Sequence, residues 1–185
     1  MEITYVTGNK AKIESAKQFL EPYGIKVNHI KMETPEIQAD FVDEIAKYSA
    51  KYACKILNKD VIKNDTGFYV DALGGFPGAY SHYVEDKIGF EGLLKLLDGV
   101  ENRKASFVEA FAYCKVGKEP IIFKSITSGI ISKEPQGSYG WGWDFVFIPD
   151  GEEKTLASFP DNERYLKWNT DGFYQIIEYL KEKNK

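Results

Sequence analysis

Cysteine and histidine are scarce in this 185-residue chain: Cys54, Cys114, His29 and His82 are all it contains. Two isolated thiols exclude a disulfide framework, and no His/Cys spacing matches a zinc site. Both cysteines fall in apolar patterns and read as buried, inert thiols. A basic surplus is missing as well. The formal net charge is −4, which argues against a nucleic-acid polymer as partner, because neutralising phosphates needs a cationic face. A mononucleotide, needing only a few local cations, stays open. No apolar run is long enough to cross a bilayer, and Met1 leads straight into a strand-like run without a signal peptide. A cytoplasmic protein with no membrane partner is expected. Serine and cysteine nucleophile motifs are also lacking, and the glycines match neither G-x-G-x-x-G nor the Walker pattern.

What is present is a globular composition, 43% hydrophobic, 28% charged and 15% aromatic, expected to form one domain over residues 1–185. Ile3-Thr4-Tyr5-Val6 reads as a buried strand, stopped by Thr7-Gly8-Asn9. Ile13, Ala16, Phe19 and Leu20 then recur at helical spacing. Ile25, Val27 and Ile30 alternate as a second strand, and a polar linker covers 31–38. A helix is expected from Asp40 to Asn58, followed by a strand opening at Val61-Ile62. This β-α-β-α order favours an α/β sheet. Ala79–Leu97 reads as a helix broken at Gly89. Ala105–Val116 and Ile121–Ser132 read as a hairpin, Phe145–Ile148 as a further strand, and Phe173–Lys183 as a closing helix. The expected sheet is mixed, parallel early and antiparallel later.

Four places in this order can carry chemistry. Thr7, Asn9 and Lys12 sit where a strand meets a helix N-terminus, whose free N–H groups and dipole favour an anion. From spacing alone, a plain helix cap at Asn9 with Lys12 in solvent is the commoner arrangement. Glu36 in the linker and Asp65 at the end of an apolar run are hard oxygen ligands of the kind Mg²⁺ takes, one or two carboxylates with waters and phosphates completing the shell. A solvated linker charge at Glu36 and a turn cap at Asp65 are the alternatives. Trp141-Gly142-Trp143-Asp144 offers two indoles that could clamp a planar ring, with Asp144 accepting from its edge. One Trp in the core and the other as a surface lid fits the same spacing.

Taken in order, the segments resemble the inosine/xanthosine triphosphate pyrophosphatase family of house-cleaning nucleotidases. The carriers are Thr7-Gly8-Asn9 with Lys12, Pro35-Glu36-Ile37-Gln38, Asp65-Thr66-Gly67, Ala72 through Tyr80, Gly142-Trp143-Asp144 and Thr155 through Glu163. The resemblance implies an α/β fold in which an elongated, twisted mixed sheet is flanked by helices, with two lobes around a central cleft. It implies a homodimer that hydrolyses non-standard purine nucleoside triphosphates (ITP, dITP, XTP) to monophosphate and pyrophosphate, with Mg²⁺ or Mn²⁺, by water attack on the α-phosphorus. Carried over by residue, Thr7, Asn9 and Lys12 hold the triphosphate, and Glu36 and Asp65 bind the metal and serve catalysis. Trp141, Trp143 and Asp144 surround the base, and Arg164 stands where the family usually has a lysine.

The chain also departs from that pattern. Asn64 replaces the acid that normally precedes Asp65, Ser49 and Ser81-His82-Tyr83 replace regions that carry lysine or asparagine, and Trp168-Asn169-Thr170 replace a Ser-His-Arg motif. These departures leave a second reading, a nucleotide-binding homologue with impaired catalysis or altered nucleotide specificity.

Overall fold

The computed structural model describes residues 1–183. In chain order the elements are β1 (Glu2–Val6), α1 (Lys10–Leu20), β2 (Lys26–Ile30), α2 (Val42–Leu57), β3 (Val61–Val70), β4 (Pro77–Gly78), α3 (Ser81–Leu96), β5 (Lys104–Cys114), β6 (Ile121–Ile131), β7 (Phe147–Pro149), α4 (Asp161–Arg164) and α5 (Asp171–Glu182). The strands form a seven-stranded mixed sheet in the order β2-β1-β3-β5-β6-β7, with β4 paired to β3. β1 runs parallel to β2 and β3, in registers Ile3↔Val27 and Tyr5↔Ile62. β4 and β7 add antiparallel to β3 and β6. The mixed α/β architecture expected from the element order is the one observed.

Two local differences from the sequence reading have simple causes. β3 does not stop near Asp65. It continues to Val70, because Gly67 and Phe68 are buried within it and turn chemistry begins only at Gly74. Asp65 therefore lies mid-strand with no turn beside it to cap. The last short strand starts at Phe147, since Phe145 belongs to a 3-10 turn over Gly142–Phe145. α3 breaks as expected at Gly89, whose φ of 62° and ψ of −171° lie outside helix.

The chain divides into two compact units. The first comprises Met1–Thr66, Glu109–Ser125 and the chain from Thr170; the second comprises Gly67–Val108 and Ile126–Asn169. In the first, Ile3, Tyr5, Ile62, Phe111 and Phe123 of the sheet pack with Ala16 and Leu20 of α1 and with Phe173, Ile176 and Ile177 of α5. Their four-residue spacing puts Lys12, Ala16 and Leu20 on one face of α1. The rings of Phe19 and Phe173 stack at 5.0 Å. Gly172 lets α5 come close to the sheet: a Cβ there would lie 2.8 Å from the Phe111 ring. Asp60 ties the start of β3 to the end of β5, accepting from Tyr113 Oη at 3.1 Å and from the Val116 N–H at 2.9 Å. Cys54 and Cys114 are buried and form no disulfide, and burial pushes the Cys114 thiol up to about 12, as expected of inert thiols.

The second unit centres on Phe68, whose ring meets Phe107 at 4.4 Å, Trp143 at 5.3 Å and Phe147 at 5.8 Å. Arg103 fastens α3 to β6 by donating to the carbonyls of Leu97, Ile131 and Ser132 at 3.0, 2.7 and 2.6 Å. Removing a fully buried aromatic ring forfeits its transfer energy and leaves a cavity. Phe111→Ala is therefore expected to lower unfolding free energy by about 3–5 kcal/mol in denaturant titration. A loss below about 1 kcal/mol would mean that the first core does not depend on this ring.

Candidate active site

In the first unit, one cavity of about 220 Å³ is lined by Thr7, Gly8, Asn9, Lys12, Glu36, Lys63, Asn64 and Asp65, with Ser49 and Met32 at its wall. Residues far apart in sequence reach it for local reasons. β1 ends at Val6, and Thr7 N–H donates to Ile30 O at 3.1 Å, so the turn is fixed to β2. Asn9 is a true N-cap. Its Oδ1 accepts from the N–H groups of Ala11 and Lys12 at 2.9 and 3.3 Å, and its own N–H donates to Thr7 Oγ1 at 3.1 Å. Capping occupies the Asn9 carbonyl oxygen and leaves its NH₂ as a donor. Capping and anion binding are thus compatible at this residue. No acid occupies the first turn of α1, so no side chain of that turn offsets its positive end.

Glu36 comes from the linker before α2. Ser49, fully buried in α2, donates its hydroxyl to Pro35 O at 3.3 Å and pins the linker beside Glu36. Burial pushes the Asp65 carboxyl up, the nearby charge of Glu36 pushes the same way, and Lys12, Lys63 and the Thr66 N–H oppose them. Lys63 is pushed down by its own burial and by Lys12. The result is a cavity holding two carboxylates and two ammonium groups. Such a donor set fits a hard divalent cation that keeps most of its shell as water and phosphate oxygens. It does not resemble an all-protein cage, and no group of three or more His, Cys, Asp or Glu suited to a metal occurs among the described residues.

The second unit brings together Trp141, Asp144 and Arg164. Arg164 is 2% exposed and Asp144 6%. Arg164 Nε lies 3.5 Å from Asp144 Oδ2 and Nη2 lies 2.9 Å from the exposed Asp161, while the guanidinium sits 5.3 Å over the Trp141 ring. Burial raises the Asp144 carboxyl, and the Trp141 N–H and Arg164 pull it down. Gly142 has a φ of +56°, and a Cβ there would lie 2.2 Å from the Glu85 carboxylate, so a side chain at this turn would be strained and would have to displace Glu85. The two indoles part company: Trp143 is 4% exposed and packs on Phe68, whereas Trp141 is 64% exposed. A clamp of two indoles is not formed. Trp143 belongs to the core, and of the two only Trp141 offers a ring to solvent.

Trp168 and Asn169 are built into this unit too. Trp168 meets Phe107 at 4.8 Å, and Asn169 N–H donates to Thr127 Oγ1 at 2.9 Å.

The profile of the Ham1 family matches residues 3–166. The chain belongs to the Ham1 family. A protein of Methanopyrus kandleri named dITP/XTP pyrophosphatase is 46% identical over 182 residues, covering 98% of this chain and 97% of that protein. Another of the same name from Thermococcus kodakarensis is 43% identical over 186 residues, all of both chains. The solved structure of the Staphylococcus aureus Ham1 protein has a TM-score of 0.84 at 28% identity, covering 99% of this chain and 100% of that one.

Within this Ham1 chain the sequence reading missed Lys63 and Glu109. Lys63 carried a usable signal, a lysine inside an apolar strand two residues before Asp65. Glu109 carried a fainter one, an acid in the β-branched and aromatic run of β5. A buried guanidinium that loses its carboxylate is costly, whereas an exposed ion pair contributes little. Asp144→Ala is expected to cost about 3–5 kcal/mol in unfolding free energy, and Asp161→Ala less than about 1 kcal/mol. Equal costs by chemical denaturation would mean that Arg164 does not depend on Asp144.

Proposed function

We propose that this Ham1-family protein hydrolyses non-standard purine nucleoside triphosphates, the dITP, ITP and XTP class, to the monophosphate and pyrophosphate. The observation that carries the reading is the meeting of Glu36 and Asp65 in one cavity with Thr7, Asn9 and Lys12. The names of the relatives from Methanopyrus kandleri and Thermococcus kodakarensis support the substrate class. In this proposal Thr7, the Asn9 NH₂, Lys12 and the positive end of α1 take the triphosphate. Lys63 adds a second cation on the same wall.

Glu36 and Asp65 would hold Mg²⁺, or Mn²⁺ in its place, which when bound would polarise a phosphoryl oxygen and offset the triphosphate charge. Asp65 orients a water for attack on the α-phosphorus. A new P–O bond forms there, the bond to the bridging oxygen breaks, and pyrophosphate departs with that oxygen. Lys12 and Lys63 neutralise charge that spreads over the phosphate oxygens during this exchange. In the second unit, Trp141 and Asp144 are assigned to the base, the exposed indole by stacking and the carboxylate by accepting from its edge. Arg164 orders both. Trp143 supports them from the core. The protein is proposed to act in the cytoplasm as a homodimer.

Purified protein with Mg²⁺ is expected to release pyrophosphate from dITP and XTP faster than from dATP or dGTP, and EDTA should stop the release. Asp65→Asn should slow turnover about 100-fold or more. Its melting temperature should stay unchanged or rise, since burial already disfavours the charged form of Asp65. Wild-type activity in Asp65→Asn, or no pyrophosphate from any triphosphate, would overturn the proposal.

A further inference from the structure

Glu109 is the only acid in β5, and the five residues after it, Ala110–Cys114, are buried. A carboxylate in such a strand needs a partner. Its partner is Asn64: the Asn64 Nδ2 donates to Glu109 Oε1. Asn64 is itself 6% exposed, lies next to Asp65 in β3 and lines the cavity described above, which Glu109 does not line. Burial pushes the Glu109 carboxyl up, and the Lys12 ammonium and the Asn64 hydrogen bond oppose it, as Lys12 opposes burial at Asp65. Tyr5, 2% exposed, is close enough to feel the Glu109 charge, and its hydroxyl has no hydrogen-bond partner among the described residues.

An amide has a donor end and an acceptor end. With one of its two N–H bonds given to Glu109, Asn64 keeps its carbonyl oxygen for the cavity. An amide oxygen is a hard, neutral ligand of the type divalent cations accept alongside carboxylates. A carboxylate behind a ligand fixes its orientation and raises its basicity without touching the ion. Glu109 is related to Asn64 in this way.

We infer that Glu109 is a positioning residue for the cation site: it holds Asn64 with its carbonyl oxygen free for the cavity and adds a third negative charge behind Glu36 and Asp65. The inference rests on the reading that this cavity takes a divalent cation. It differs from a plain strand-to-strand tie, which would need the hydrogen bond but not the charge.

The test is Mn²⁺ binding to the full-length protein without nucleotide, followed by the loss of free-ion signal in electron paramagnetic resonance. Glu109→Gln, which keeps an acceptor for Asn64 and removes the charge, should weaken Mn²⁺ binding about tenfold or more. The exchanged pair Asn64→Asp with Glu109→Gln returns the carboxylate to the cavity wall with an amide behind it. Its affinity should come back to within about threefold of wild type. A structural tie alone predicts no effect from Glu109→Gln and no rescue by the exchange, and either result overturns the inference. Should Glu109→Gln fail to fold, Asn64→Ser in the same assay decides: weakened Mn²⁺ binding supports the inference and wild-type binding overturns it. Wild-type protein that binds no Mn²⁺ overturns the cation reading and this inference together. A wild type that binds, with an indifferent Glu109→Gln, overturns this inference alone.

Discussion

A carboxylate in the middle of a mostly buried strand has to be answered by opposite charge, and in this protein Asp65 imposes that constraint on the whole first unit. It stands in β3 directly after Lys63 and Asn64. The lysines at 12 and 63 answer it from α1 and from its own strand. For Lys12 to serve, α1 must start where it does. That start depends on the Asn9 cap and on the fastening of Thr7 to Ile30. Glu36 is brought in by a different device, a buried serine hydroxyl holding the carbonyl of the preceding proline. The cavity is therefore a balance of charges first and a shape second, because Lys12 and Lys63 oppose the burial of Asp65 there.

The second unit solves a related problem with a different set of residues. Arg164 is buried almost completely, so its charge is distributed over Asp144, Asp161 and the face of Trp141. The turn that presents Trp141 is held by Asp144 on one side and packed against Glu85 on the other. Trp143, two residues on, anchors that turn in the aromatic packing around Phe68. Anchoring an exposed indole lowers the entropy lost when a flat ring is stacked on it.

Most of the fold could be read from the sequence because hydrophobic period and turn residues agree along the chain. Ile3–Val6, the Ile13–Leu20 stripe and the helix centred on Ile45 to Ile56 lie in the expected elements. The site was legible where residue type and position coincide with a junction, as at Thr7-Gly8-Asn9. It was less legible where a strand keeps going through a residue that usually ends one, and Gly67 hid the true length of β3. Lys63 and Glu109 escaped notice because their significance depends on which strands become neighbours, and a linear pattern does not carry that information. The two tryptophans could not be separated for the same kind of reason. Only the packing of Phe68 decides that Trp143 is interior and Trp141 is not.

Gly172 illustrates what such contacts imply over evolutionary time. Because α5 rests so near the Phe111 ring that even one methyl group is excluded, neither position can drift alone. A larger residue at 172 requires a smaller one at 111, so the pair should covary among Ham1 proteins that retain this helix.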